Sequence, residues 1–277
     1  MRRPLPAARV GAAVALGALI LAGAPDRALA FRCLRAAPDA GPSLTWPART
    51  VEWWLDGRLV SRGPAGAADQ VEASFAAWVE PACSDFAFRR VGLVTQTALE
   101  PGNGRTEVVY AEVWPHNPSA LALTTTLFEP STGIVREADI ELNAEHFEFA
   151  VLDGRSCSAT TLADLANTLT HEVGHLLGLA HPPAVERFAT STMFARSPPC
   201  ETRKRSLEDD DVEGLCAIYP RDAPTQPCFS SSEPALVVVD RGAGFDEVGC
   251  RGAGAPGVSA LGLLLAGLGL SRRRRRP

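Results

Sequence analysis

Periodic and alternating apolar positions divide the middle of the 277-residue chain into helices and strands. Residues 67–79 carry Val71, Phe75 and Trp78 at helical spacing, which predicts an amphipathic helix. Short runs rich in β-branched and aromatic residues, bounded by turn residues, predict strands. Five such runs lie at 51–55, 86–92, 106–113, 120–128 and 138–143.

Two further helices are predicted after the last of these strands. The first has apolar residues three or four positions apart, and Thr161 and Asp164 resemble a capping box at its start. Its apolar positions are Leu162, Leu165, Leu169, Val173 and Leu176. The second helix, within 207–219, opens with acidic residues that suit a helix N-terminus. The order strand, helix, four strands, helix, helix predicts an α/β domain.

The first of these helices contains three of the five histidines of the chain within the stretch HEVGHLLGLAH. His171 and His175 are four residues apart, so a helix places both on one face within reach of one metal ion. His181 lies too far along to join them if the helix continues. Gly178 favours a helix end, because glycine adopts a left-handed conformation cheaply. A turn there would let His181 return as a third ligand.

Three imidazoles with one open position are typical of catalytic zinc, whereas structural zinc sites usually have four protein ligands. Glu172, next to His171, is then the candidate general base for a zinc-activated water. The simpler interpretation, a helix with satisfied core or surface histidines, is disfavoured because Gly178 and His181 are also in register.

This stretch resembles the metzincin signature H-E-x-x-H-x-x-G-x-x-H, which is followed by a methionine in a tight turn beneath the metal. Met193, twelve residues after His181, is the one methionine besides the initiator. The stretch LEDDDVEGLCAIY is similar to the last helix of matrixins, the matrix metalloprotease type. In that family paired aspartates, here Asp210 and Asp211, brace the methionine turn and the start of the chain. The resemblance spans about 46–220.

The resemblance implies a zincin-like α/β fold. We expect a twisted, five-stranded, mostly parallel sheet with an antiparallel edge strand, and three main helices. It also implies that the edge strand is ALALTTT, along which an extended protein or peptide substrate would pair. Matrixins carry a second zinc and several calcium ions, but the corresponding region here holds a single histidine, His116. His116 and His146 are weak ligand candidates. Calcium at Asp139, Glu141 or Asp153 stays an open alternative, although no spaced loop of oxygen ligands is visible.

Both ends of the chain carry targeting signals. Residues 1–30 combine basic residues, an apolar core and a small-residue cleavage site at Ala28-Leu29-Ala30, which predicts a secretory signal peptide. Residues 250–277 place Cys250 before an apolar run and five arginines. This arrangement resembles the C-terminal sorting tails of myxobacterial surface proteins and predicts transient engagement of the membrane or of a processing enzyme. A plain membrane anchor is the alternative.

The composition between these ends fits an exported protein. Residues 31–250 hold 17 Lys and Arg against 31 Asp and Glu, a net charge of −14 compared with −5 for the whole chain. This acidity argues against a nucleic-acid partner. Six cysteines precede Cys250, and an even number in an exported chain predicts three disulfides. The Cys200–Cys216 pair is one candidate. Parity favours a disulfide for Cys33 over the inhibitory cysteine of matrixin pro-domains.

We therefore predict four segments: a signal peptide (1–30), a matrixin-like catalytic domain (31–220), a linker or short extension (221–249) and a sorting tail (250–277). The predicted protein is a secreted or cell-surface, monomeric, zinc-dependent endopeptidase. The alternatives are a non-catalytic, surface-anchored zinc-binding module and a metzincin outside the matrixins.

Overall fold

A computed structural model describes residues 31–37, 41–95, 99–153, 157, 160–228, 245–248 and 251–252. The predicted signal peptide lies outside these residues, as does the sorting tail apart from the backbone of Arg251–Gly252. No helix among the described residues has both the length and the apolar character needed to cross a membrane.

The helices and strands follow the predicted order, with several short additions. The helices are α1 (Gly57–Arg62), α2 (Ala67–Val79), α3 (Leu165–Leu176) and α4 (Asp209–Ile218). The strands are β1 (Arg32–Cys33), β2 (Thr50–Asp56), β3 (Ala87–Val94), β4 (Thr106–Ala111), β5 (Ala122–Phe128), β6 (Val135–Asn143), β7 (Glu148–Ala150), β8 (Leu162–Asp164), β9 (Leu179–Ala180), β10 (Arg196–Ser197), β11 (Phe245–Val248) and β12 (Arg251–Gly252).

The main sheet confirms the predicted fold. Its order is β3-β2-β4-β6-β5; the first four strands are parallel and β5 is antiparallel to β6. The predicted edge strand ALALTTT therefore forms the antiparallel side of the five-stranded sheet. The short strand β11, from the C-terminal segment, adds to β5 as a sixth strand.

The core lies between this sheet and the helices α2 and α3, which pack against each other. The ring of Trp53 in β2 stacks on Phe75 of α2, with 4.2 Å between ring centroids. Trp78 of α2 is fully buried and donates from Nε1 to the carbonyl of Thr170 at 2.8 Å. These contacts fix α3, the helix that carries the histidines, at a set height above the sheet.

The predicted start of the helix that contains HEVGH is wrong, and so is the predicted capping box. The helix containing HEVGH begins at Leu165, not near Thr161, because Leu162–Asp164 form strand β8 and pair in parallel with β7. Asp164 alone is the N-cap, and its Oδ1 accepts from the amide of Asn167 at 2.8 Å. The local sequence pattern could not reveal the partner strand that extends these residues.

The disulfides number three among the described residues, as predicted, but the Cys200–Cys216 pairing is wrong. The pairs are Cys33–Cys228, Cys83–Cys216 and Cys157–Cys200. Cys33 is thus occupied by a disulfide. Cys216 lies in α4 and meets Cys83 in the loop after α2, while Cys200 meets the loop before β8. Each bridge joins segments that are distant in sequence, so spacing along the chain could not assign them.

Candidate metal centre

Helix α3 and the turn after it bring the three histidines together. His171 and His175 lie on one face of the helix, and the helix ends at Leu176. Gly178 adopts a left-handed φ of 95°, as its predicted role as a helix breaker requires. A side chain there would also lie 2.2 Å from the carbonyl oxygen of Leu44, so glycine is needed for space as well. The chain then turns back and places His181 beside the other two.

The three imidazoles converge on one point through their Nε2 atoms. The Nε2 atom of His175 lies 3.0 Å from that of His171 and 3.0 Å from that of His181. The Nε2 atoms of His171 and His181 are 3.1 Å apart. Tetrahedral zinc with bonds of about 2.0–2.1 Å would separate its nitrogen ligands by roughly 3.3 Å. Among the described residues, these three histidines form a group whose potential ligand atoms all lie within 4.8 Å of one another.

The rear nitrogens of two of the histidines face backbone carbonyls. Nδ1 of His171 lies 2.6 Å from the oxygen of Thr192, and Nδ1 of His175 lies 2.8 Å from that of Leu179. Each Nδ1 must therefore donate its proton, which leaves Nε2 as a bare lone pair. Two facing lone pairs do not hydrogen-bond each other. This tautomer fits a shared cation, and such carbonyl partners are typical of metal-bound histidines.

The surroundings keep the imidazoles neutral, which is the form that binds metals. Burial lowers the pKa of His171 well below its usual range, and the charge of Lys204 acts in the same direction. Burial also lowers the pKa of His175 to about 4, although its hydrogen bond to the oxygen of Leu179 opposes the shift. Neither histidine would be protonated near neutral pH.

Glu172 lies buried beside this centre and is held by the edge strand. Its Oε2 accepts a hydrogen bond from the hydroxyl of Thr124 in β5 at 2.7 Å. Thr124 is itself almost fully buried. The sequence pattern did not indicate this residue, because a threonine within an apolar strand carries no signal of its own. Its contact ties the candidate general base to the strand along which a substrate was predicted to pair.

Met193 lies directly beneath the histidine helix and is 1% exposed. A Cβ on Gly174, the residue before His175, would lie 2.2 Å from the Met193 sulfur and 2.8 Å from the ring of Trp78. Glycine at this position therefore lets the methionine turn approach the helix closely. The close approach also brings the carbonyl of the preceding Thr192 to His171.

Asp211 of α4 holds the methionine turn from below. Its Oδ1 accepts from the Ser191 hydroxyl at 2.9 Å and from the Met193 amide at 3.2 Å. Its Oδ2 accepts from the amides of Thr192 at 2.8 Å and Glu208 at 3.0 Å. This placement matches the bracing that the resemblance implied.

Asp210, the other predicted aspartate, lies in the first turn of α4. Burial and the neighbouring Asp211 raise the pKa of its carboxyl to about 6. Its Oδ2 atom is buried and has no hydrogen-bond partner among the described residues. One turn further along α4, a Cβ on Gly214 would lie 3.1 Å from Phe31.

Lys204 is a second residue that the sequence analysis missed. It lies in the run ETRKRS, which reads as a charged surface loop, yet it is 1% exposed. Its Nζ donates to the carbonyl of Phe194 and, at 3.0 Å, to that of Arg196. Its backbone amide donates to the side chain of Asn167 in α3 at 2.8 Å. Lys204 thus fixes the segment after Met193 relative to the histidine helix.

The weaker ligand candidates lie away from the three histidines. Nε2 of His116 is 3.2 Å from Glu141, and Nδ1 of His146 is 3.1 Å from Asn143. Asp139 is buried, and burial raises the pKa of its carboxyl to about 9. Asp153 lies on the exposed surface. No cluster of three carboxylate side chains that could hold calcium is found within the described ranges.

A cavity of about 370 Å³ adjoins the N-terminal end of α3. Leu121 borders it just before β5, and Ser197 borders it in the segment that Lys204 holds. Its lining also includes Phe147, Leu162, Asp164 and Pro199. The cavity therefore opens where the edge strand and the segment after Met193 come together.

The mixed sheet with an antiparallel edge strand, together with three histidines on a helix and its following turn, defines the class of metzincin-type metalloproteases. The comparison with protein families narrows this class. The Matrixin model matches residues 46–220, well over half of the chain. The chain belongs to the matrixin family of zinc metalloproteases.

Two curated proteins are similar to parts of the chain. Metalloendoproteinase 1 of Glycine max is 34% identical over 77 residues, which are 28% of this chain and 24% of that protein. Metalloendoproteinase 2-MMP of Arabidopsis thaliana is 32% identical over 115 residues, which are 41% of this chain and 28% of that protein. The chain thus spans about a quarter of the length of these relatives.

Proposed function

We propose that this protein is an exported, zinc-dependent endopeptidase. The observation that carries the proposal is the convergence of three Nε2 atoms, two of them held as bare lone pairs, beside a buried glutamate. His171, His175 and His181 would hold the zinc ion. When bound there, zinc supplies a Lewis acid that makes water more acidic and polarises a carbonyl oxygen.

Glu172 would act as the general base and then as the general acid. Its carboxylate would take a proton from the attacking water and deliver it to the amine that leaves when the peptide bond breaks. The hydrogen bond from Thr124 occupies Oε2 and orients the carboxylate. Met193, Gly178, Asp210 and Asp211 would support the site without touching the reacting atoms.

The substrate would be an extended protein or peptide segment paired with the edge of β5 that faces away from β6. Backbone pairing of this kind provides affinity with little dependence on sequence, and pockets for side chains provide specificity. The cavity between Leu121 and Ser197 is the candidate pocket. Its lining includes Phe147 and Leu162, which favour an apolar side chain.

The non-catalytic zinc-binding module is the weaker alternative. A structural or binding role would not require a buried carboxylate oriented beside the histidines. Glu172 is present, fully buried and hydrogen-bonded to Thr124, which supports the catalytic role. Membership of the matrixin family removes the reason to prefer another metzincin group.

We propose that the protein acts outside the cytoplasm as a monomer. Three disulfides fit an oxidising compartment, as does the signal peptide predicted for residues 1–30. The tail from Cys250 onward would engage the membrane transiently or a processing enzyme. The body, residues 31–250, has a net charge of −14, which makes it a poor partner for nucleic acid.

Zinc content and peptide hydrolysis together test this function. We expect about one zinc ion per chain, which His171→Ala and His175→Ala remove and the matched control His146→Ala retains. Glu172→Ala should keep the zinc and lose hydrolysis of an unfolded protein by roughly 10²–10⁴-fold. Full zinc retention in both histidine variants, measured by elemental analysis, would refute the ligand assignment. Near-normal turnover by Glu172→Ala would refute the mechanism.

A further inference from the structure

The C-terminal segment pairs with two strands of the body, β5 and β10. Strand β11 runs antiparallel to the edge strand, from the pair Phe245 and Leu127 to the pair Val248 and Thr124. Strand β12 then runs parallel to β10 and pairs Arg251 with Arg196. The two pairings thus involve different parts of the body, the main sheet and the segment after Met193.

One of these pairings lies next to the candidate catalytic glutamate. Thr124, the partner of Val248, donates its hydroxyl to Glu172. Arg196, the partner of Arg251, lies three residues after Met193 in the segment held by Lys204. Three peptide units join Val248 to Arg251, so their Cα atoms are at most about 11 Å apart. The two intervening residues are outside the described part of the chain.

Strand β11 is extended and pairs with β5 in the way proposed for a substrate, and β12 pairs with β10. We propose that strands β11 and β12 act as an intramolecular inhibitor that occupies the groove beside β5, where a substrate would pair. This inference rests on the proposed function for the identity of the groove, because it assumes that substrates pair with β5. The chain itself supplies the occupant.

The connection makes such occupation plausible in energetic terms. Cys228 is tied to Cys33 by a disulfide, and sixteen residues separate it from Phe245. A tether of sixteen residues within one chain gives an effective concentration on the order of millimolar. A short ladder is weak as a separate peptide, but the tether makes pairing intramolecular. A substrate must then compete with the segment, which raises KM and leaves kcat unchanged.

Hydrogen exchange in the full chain tests the pairing without requiring catalysis. Glu172→Ala serves as the parent, so that self-digestion does not interfere. Successive amides of a strand point to opposite sides, so one of Asp246→Pro and Glu247→Pro must remove a donor to β5. We expect exchange in 122–128 to rise at least about fivefold in one of these variants. Ser231→Pro, the same change outside the paired segment, is the matched control.

Unchanged exchange in both proline variants would overturn the pairing. Because this measurement does not depend on hydrolysis, it decides the proposal even if the chain proves to have no peptidase activity. Failure of the proposed function would appear instead as absence of hydrolysis in every chain that retains Glu172.

Peptide hydrolysis tests the inhibition itself, in full chains that retain Glu172. The proline variant with faster exchange should have a kcat/KM roughly three- to tenfold above the parent and the Ser231→Pro control, through a lower KM. Equal kcat/KM in all three chains would overturn the inhibitory role. Rapid self-cleavage between Val248 and Arg251, seen as new termini by mass spectrometry, would also overturn it, because the segment would then be a substrate.

Discussion

Asp211→Asn should loosen the floor of the metal centre while changing only one atom of the side chain. The carboxylate of Asp211 accepts four hydrogen bonds, two at each oxygen. An asparagine has one acceptor oxygen, and its NH2 group would face the donors at the other position. At best, two of the four bonds survive.

The cost follows from the kind of bonds lost. Hydrogen bonds to a charged group contribute about 1.5–3 kcal/mol each, and buried donors left unpaired retain their desolvation penalty. Losing two bonds at this 1% exposed position should lower the free energy of unfolding by roughly 3–6 kcal/mol. That is a large part of the ~5–15 kcal/mol typical of a folded domain.

The metal centre should weaken together with the fold. In either orientation of the asparagine, the donors that lose their partner include the amide of Thr192 or that of Met193. The carbonyl of Thr192 orients His171 through the 2.6 Å contact with Nδ1. Losing such an orienting partner typically lowers metal affinity by about 10–100-fold. We expect a loss of this size in Asp211→Asn chains that remain folded.

Urea unfolding and competition for zinc with a chelator measure these two effects. Asp209→Asn is the matched control, since it makes the same change on an exposed position of the same helix. It should stay within about 0.5 kcal/mol of the parent. If Asp211→Asn matches this control in both unfolding free energy and zinc affinity, the bracing role assigned to Asp211 is wrong.

Two further predictions concern other regions. Burial raises the pKa of Asp139 to about 9, so this acid destabilises the fold increasingly as the pH rises from about 4 towards 9. With calcium chelated, Asp139→Asn should therefore raise the free energy of unfolding in urea by about 1 kcal/mol or more at pH 8, and by less at pH 5. Equal effects at the two pH values would contradict this reasoning. Mass spectrometry of the protein from its native cells should find a chain that starts at Phe31 and lacks the terminal arginine cluster; an intact chain ending at Pro277 would identify the tail as a plain anchor.

The strands and helices of the catalytic body were largely predictable, because their signals are local. Helix α2 has the predicted bounds of 67–79, since its apolar stripe has a regular helical period. The start of α3 was misplaced, because pairing with β7 extends Leu162–Asp164 against their helical pattern. The short strands that pair with distant segments, such as β1 with β9, had no local signal.

The sequence by itself determined the composition of the candidate centre. His171, Glu172 and His175 are placed by helical spacing, and Gly178 ends the helix because its conformation and its space suit glycine alone. These relations act over a single turn of helix, so the spacing along the chain is sufficient to state them.

Only the tertiary structure decided what surrounds that centre. Thr124 hydrogen-bonds to Glu172, which lies 48 residues further along the chain. Lys204 is buried beneath the segment after Met193, although it lies in a charged stretch of sequence. The disulfide pairs and the course of the C-terminal segment along β5 likewise depend on which distant segments meet. The physical reason is common to all of them: packing and strand pairing select these partners, and neither is expressed in the local sequence pattern.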